Sequence, residues 1–159
     1  MKKTKEQNQE ELIQSGKTAE ISAEILEHMM TPKNYGVMEN HDGLGMGADK
    51  KTGEFAMVYI KVEDDTLVNI TFGCNACQDT VVAGSLFTEM VKGDTLENSI
   101  KALKLMDEQL LLVGKKQQIC SGMVLQAFRA ALINRENRLR GVEEELFTID
   151  LKDSCEGLE

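Results

Sequence analysis

Apolar residues at helical spacing give way along this chain to runs of β-branched and aromatic residues, and the changes from one pattern to the other divide it into predicted elements. Ile21, Ile25 and Met29 are spaced at i, i+4, i+8 with Leu26 beside them, which predicts an amphipathic helix over 18–30. Thr18 is the expected N-cap and Glu20 lies in the first turn. The helix should stop by Thr31, because the residue before Pro32 is pushed out of the α region. Residues 34–53 are rich in Gly, Asn and Asp and read as loop with one short strand. Runs of β-branched and aromatic residues then take over. F-A-M-V-Y-I-K-V at 55–62 and T-L-V-N-I-T-F at 66–72 flank the polar Glu63-Asp64-Asp65, which predicts an antiparallel hairpin.

Helical spacing returns after the small-residue loop at 73–77. Val82, Leu86 and Met90, widened by Val81 and Phe87, predict a helix over 78–92 that Gly93 ends. Thr95, Glu97 and Asn98 open another through Leu103, while 106–112 is apolar and fits either class. Residues 114–118 read as a polar loop, and Val124, Phe128, Ala131 and Leu132 predict a last helix over 121–134. Early strands and late helices make this α+β: a small antiparallel sheet with helices packed on one face. The expected organisation is a flexible tail at 1–17, one domain at 18–148 and a polar C-terminal tail at 149–159 that carries Cys155.

Composition narrows the function classes. The 159 residues suffice for one hydrophobic core, and 18 basic against 27 acidic residues give a net charge of −9. An acidic chain with few aromatics is not expected to bind nucleic acid, where affinity comes from neutralising phosphates. No apolar run approaches the roughly 20 residues that span a bilayer. The start of the chain lacks the apolar stretch of a signal peptide, so no membrane and a cytoplasmic location are expected. No nucleophile–base pair, phosphate loop or paired carboxylate constellation is visible, and no enzymatic activity is expected.

The cysteines then carry the chemistry. Four of them (Cys74, Cys77, Cys120 and Cys155) are too few for a disulfide framework. Cys74 and Cys77 form a C-x-x-C knuckle between a predicted strand and a predicted helix start, and Cys120 precedes the next long helix. The N–H groups and positive dipole end of a helix favour thiolate over thiol. Three thiols so placed form a candidate soft-metal site. A thioredoxin-like redox pair is the other reading of C-x-x-C, but here the motif has no βαβ setting. Cys155 in its polar tail reads as an exposed thiol, and His28 and His41 as surface or capping residues.

Several segments together resemble the U-type iron–sulfur cluster scaffold family, meaning IscU, SufU and the NifU N-terminal domain. Met30-Thr31-Pro32-Lys33-Asn34-Tyr35-Gly36, preceded by His28, is similar to its N-P-x-N-x-G segment. Gly43-Leu44-Gly45-Met46-Gly47 is similar to its glycine-rich stretch. Gly73-Cys74 and the run from Ser85 to Gly93 are similar to its G-C…S-S…T-E-x-V-K-G segment, and Cys120-Ser121 to its H-C-S helix start. The likeness spans 19–136 in order. It implies a three-stranded antiparallel sheet, with the third strand near 44–51. It also implies a labile [2Fe–2S] cluster or iron as cargo, sulfur from a cysteine desulfurase, and acceptor apo-proteins; some members carry zinc.

The departures fall on the ligands. The family's C-G-D lies at Thr52-Gly53-Glu54 and its H-C at Ile119-Cys120, so a cysteine and a histidine are missing, while Cys77 is extra. The chaperone-recognition segment L-P-P-x-K is here Val113-Gly114-Lys115-Lys116-Gln117. The resemblance implies a site of Cys74, Cys77 and Cys120 with Glu54, or Asp49, as fourth ligand. Three functions follow: a variant cluster scaffold or carrier, a zinc-binding sulfur acceptor, or a degenerate paralogue that keeps only a binding surface. A shared site in a homodimer is compatible with each.

Overall fold

A computed structural model describes residues 23–156. The expected tail at 1–17, the Thr18 cap, Glu20 and Ile21 lie outside the described residues. In chain order the elements are α1 (Ala23–Met30), β1 (Gly43–Ala48), β2 (Phe55–Glu63), β3 (Thr66–Cys74), α2 (Gln78–Val91), α3 (Leu96–Leu110), α4 (Lys115–Leu139) and β4 (Phe147–Asp150).

The hairpin forms where the two β-branched and aromatic runs and the polar turn between them placed it. Asp64 and Asp65 turn it with positive φ of 49° and 57°, a conformation that aspartate tolerates better than most residues. The resulting sheet has four strands in the order β3-β2-β1-β4, one more than the resemblance implies. The added strand pairs parallel with β1, Gly45 opposite Phe147 through Ala48 opposite Asp150. Its four residues, F-T-I-D, are too short a run to stand out against the polar sequence around them. The segment expected as a tail from 149 therefore begins inside the sheet. It stays attached beyond it, where the Leu151 N–H donates to the Ala48 carbonyl at 2.8 Å.

The longest helix also differs from its expected span. Lys115-Lys116-Gln117-Gln118 opens α4 rather than forming a loop, because the polar residues lie on a first turn that faces solvent. Likewise α3 extends to Leu110, taking up part of the ambiguous apolar stretch. Its start is as expected, with the Thr95 side chain accepting the Asn98 N–H at 3.1 Å.

One face of the sheet holds the core. Val58, Ile60, Leu67, Ile70 and Phe72 from β2 and β3 pack against Phe87 of α2 and against Met123, Val124 and Phe128 of α4, all essentially inaccessible. The contact between α4 and β1 has a particular cause. Gly43, Gly45 and Gly47 lie on the strand face turned to the helix. A Cβ on Gly45 would run into the Ala127 carbonyl and the Ala131 N–H, and one on Gly47 into the Met123 carbonyl. The backbone of the helix therefore rests directly on the strand, a separation that no side chain permits. Asn134, fully buried in α4, fixes the register of this contact. Its Oδ1 accepts the Leu44 N–H at 2.8 Å, and its Nδ2 donates to Glu144 Oε1 at 2.9 Å, reaching the loop that leads to β4.

Replacing Gly45 by Val should destabilise the protein by more than the roughly 1–3 kcal/mol of ordinary overpacking, because the added Cβ runs into helix backbone at Ala127 and Ala131. Gly73→Ala, where an added Cβ meets nothing within 4 Å, should leave stability nearly unchanged. Denaturation midpoints compared at constant m-value measure both.

Candidate metal and sulfur site

Three elements and one strap converge where β3 ends. β3 delivers Cys74 as its last residue, and the chain turns so that Cys77 caps α2 with extended backbone (φ −70°, ψ 171°). From across the core, α4 brings Cys120, which is buried. The Sγ atoms of Cys77 and Cys120 are 3.0 Å apart, a sulfur–sulfur hydrogen bond. The exposed carboxylate of Asp79, in the first turn of α2, has an oxygen within 4.8 Å of both sulfurs. Asp79 is a residue that sequence reasoning missed. Its signal was available, since it follows the knuckle by two positions and opens the helix.

Cys120 was expected at a helix start. It is instead the sixth residue of α4, beyond the turn whose free N–H groups favour a thiolate. Burial pushes its thiol well above the ordinary value, and hydrogen bonding to Cys77, with the charges of Cys77 and Cys155, pushes it further. Cys77 goes the other way. Burial alone would raise it, but the Cys120 thiol, the Thr80 and Asp79 N–H groups and the Thr80 hydroxyl, 3.7 Å away, bring it below the ordinary value. Of the hydrogen-bonded pair, Cys77 thus ionises first and Cys120 keeps its proton. At Cys74 burial raises the thiol, with the Ala76 N–H partly opposing and the charge of Cys77 adding to the rise. The helix-start effect expected of three thiols operates at one.

Cys155 does not stand apart as its polar surroundings suggest. Its Sγ lies 3.8 Å from Cys120 Sγ, on a segment folded back along β1. Burial raises its thiol, and the charges of Glu54 and Asp49 raise it further against the lowering by the Cys120 thiol. Glu54, half-buried, is not in the group of Cys77, Asp79 and Cys120; its carboxylate acts on Cys155. Asp49 is 2% exposed, and its oxygens are taken up by N–H and O–H donors from Lys51, Ser154 and Cys155 at 2.9–3.0 Å. Despite its burial, those donors hold it below the usual carboxylate range. Both histidines lie in other contacts. His28 Nδ1 meets Ser85 Oγ at 2.5 Å, and His41 packs on Tyr59 and contacts Arg138.

The loop after α1 is held by side chains of α2. The Lys33 N–H donates to Ser85 Oγ, and Asn34 Nδ2 donates to Thr88 Oγ1 and Glu89 Oε1. Tyr35 then donates its hydroxyl to the Cys74 carbonyl at 3.2 Å, so the loop after α1 braces the end of β3.

Comparisons with known proteins converge on one group. The NifU-like N terminal domain family matches residues 20–140. The Archaeoglobus fulgidus iron-sulfur cluster assembly scaffold protein IscU 1 is 31% identical over 134 residues, covering 79% of this chain and 88% of that protein. The corresponding Escherichia coli IscU is 30% identical over 123 residues, covering 74% and 94%. Among solved structures, FiSufU, a scaffold candidate for the SUF system of Fervidobacterium islandicum, shares the fold. Its TM-score is 0.53 at 16% identity, covering 73% of this chain and 93% of that one.

In the metal-free protein, Cys77 should alkylate ahead of Cys74, Cys120 and Cys155 at any pH below the ordinary thiol value, where its lowered pKa gives it the largest thiolate fraction. Its lead should shrink as pH rises and the others ionise, and Thr80→Val should slow it. Mass spectrometry of timed iodoacetamide labelling reads both.

Proposed function

Since this chain belongs to the NifU-like N-terminal domain family, we propose that it is an iron–sulfur cluster assembly scaffold or carrier. Its cargo is iron or a labile [2Fe–2S] cluster held at Cys74, Cys77 and Cys120, with Glu54 as the nearby carboxylate of the expected set. The observation that carries this reading is the pair of sulfurs from α2 and α4, 3.0 Å apart, with Asp79 within reach of both. Soft thiolates are the donors that iron–sulfur clusters use.

Loading requires the thiols to lose protons. Cys77 is prepared for this by its donors, whereas the cationic cargo must displace the proton of Cys120. That requirement makes uptake pH-dependent. A carboxylate among thiolates is a weak ligand for a soft centre, which suits cargo that is to be handed on. The sulfur donor in this reading is a cysteine desulfurase, and the recipients are apo-proteins. No helix among the described residues is long and apolar enough to cross a membrane.

Anaerobic incubation with ferrous iron, cysteine, a cysteine desulfurase and excess dithiothreitol, which reduces the persulfide sulfur to sulfide, should give a brown protein with iron and acid-labile sulfide in equal amounts. Cys120→Ala should lose both. A wild-type protein that stays colourless and retains no iron overturns the proposal, and stoichiometric zinc with persulfide transfer in its place would establish the sulfur-acceptor reading.

A further inference from the structure

We propose that Cys155 is a fourth protein sulfur of this site, carried in by the segment after β4 and held there by Asp49. The inference rests on the reading of the thiol cluster as a cradle for metal or cluster cargo, and extends that cluster by one thiol.

Cys120 is the middle sulfur of three, with Cys77 at 3.0 Å and Cys155 at 3.8 Å. Two thiolates bound to one tetrahedral ion through bonds of about 2.3 Å stand roughly 3.8 Å apart. The Cys120–Cys155 pair already has that separation, and the Cys77–Cys120 pair needs only a small opening.

The strap that bears Cys155 is tied at several points. Leu151 extends the β1 ladder through its N–H to Ala48 at 2.8 Å, and Lys115 Nζ lies 3.6 Å from Asp153 Oδ2 at the solvent edge. The decisive contacts are at Asp49. Ser154 Oγ lies 2.9 Å from both carboxylate oxygens, and the Cys155 N–H donates to Oδ2 at 2.9 Å. A buried carboxylate keeps its charge only when donors surround it. Here the strap supplies two of those donors, from 105 and 106 residues away in the chain. Asp49 is thereby a positioning residue: its oxygens are occupied with holding the backbone of Cys155, and the ligand it delivers is the thiol. The glycines of β1 and the Asp49 turn place that latch beside α4, so the fourth sulfur arrives next to the third.

The test uses the full-length, metal-free protein titrated anaerobically with Co(II). The readouts are the thiolate-to-cobalt charge-transfer absorption, the dissociation constant by competition, and far-UV circular dichroism for folding. Cys155→Ser should lose one thiolate's share of the charge-transfer intensity while staying folded. Asp49→Asn sets an amide N–H₂ against the donors that the carboxylate now accepts. It should keep all four thiols yet bind Co(II) about 10–100-fold more weakly, the usual effect of losing a ligand's support. Iodoacetamide labelling of the wild type is the second measurement, with Co(II) expected to protect Cys155. Equal charge-transfer intensity and affinity in wild type and Cys155→Ser, or labelling of Cys155 at the same rate with and without Co(II), overturns the inference. A wild type without any thiolate band overturns the cradle reading itself.

Discussion

The backbone-to-backbone approach of α4 to β1 is the constraint on which the rest of this structure depends. Gly43, Gly45 and Gly47 remove every side chain from the strand face beneath the helix, and the helix occupies the space. That contact sets where Cys120 stands relative to the sheet, and β1 ends in the Asp49 turn. β2 follows from that turn, and its hairpin with β3 ends at Cys74. A single steric choice, three absent Cβ atoms, therefore fixes both the sulfur on the helix and the carboxylate at the strand's end. Asn134 fixes the remaining freedom of sliding along the strand, because its amide is bonded at Leu44 on one side and at Glu144 on the other.

The electrostatics of the site follow from burial more than from helix dipoles. Four thiols in one region cannot all ionise, and the structure separates them by their donors. Cys77 stands at a helix start with Thr80 beside it and carries the charge most readily. Cys120, enclosed by the core, keeps its proton. An arrangement with one lowered and three raised thiols must release protons before further thiolates form, which ties any cation uptake to pH.

Much of this was legible in the sequence. The hairpin of β2 and β3 was readable because β-branched and aromatic residues fill both arms around a short polar turn, and α2 and the core of α4 because their apolar residues keep helical spacing. The knuckle at Cys74 and Cys77 was readable for the same reason, lying at a junction of two clear elements. What stayed hidden depends on tertiary contact. β4 is four residues long and pairs with a strand a hundred residues earlier, so nothing local marks it. Cys155 follows a run of polar residues whose composition suggests a solvated tail, and the ties at Ala48 and at the buried carboxylate of Asp49 explain why the chain returns. The first turn of α4 was hidden because four consecutive polar residues resemble a loop as well as the wet end of a helix.

The parallel pairing of β4 with β1 has a consequence in time. The β1–β4 ladder joins residues about a hundred apart in the chain, and the contacts of Asp49 with Ser154 and Cys155 span 105 and 106. Cys77 and Cys120 are only 43 apart. Closing the longer loop costs more chain entropy, and β4 has only four residues with which to offset it. In a refolding chain the two sulfurs can meet while the Asp49 carboxylate still lacks its distant partners, so the docking of β4 sets when that carboxylate is satisfied.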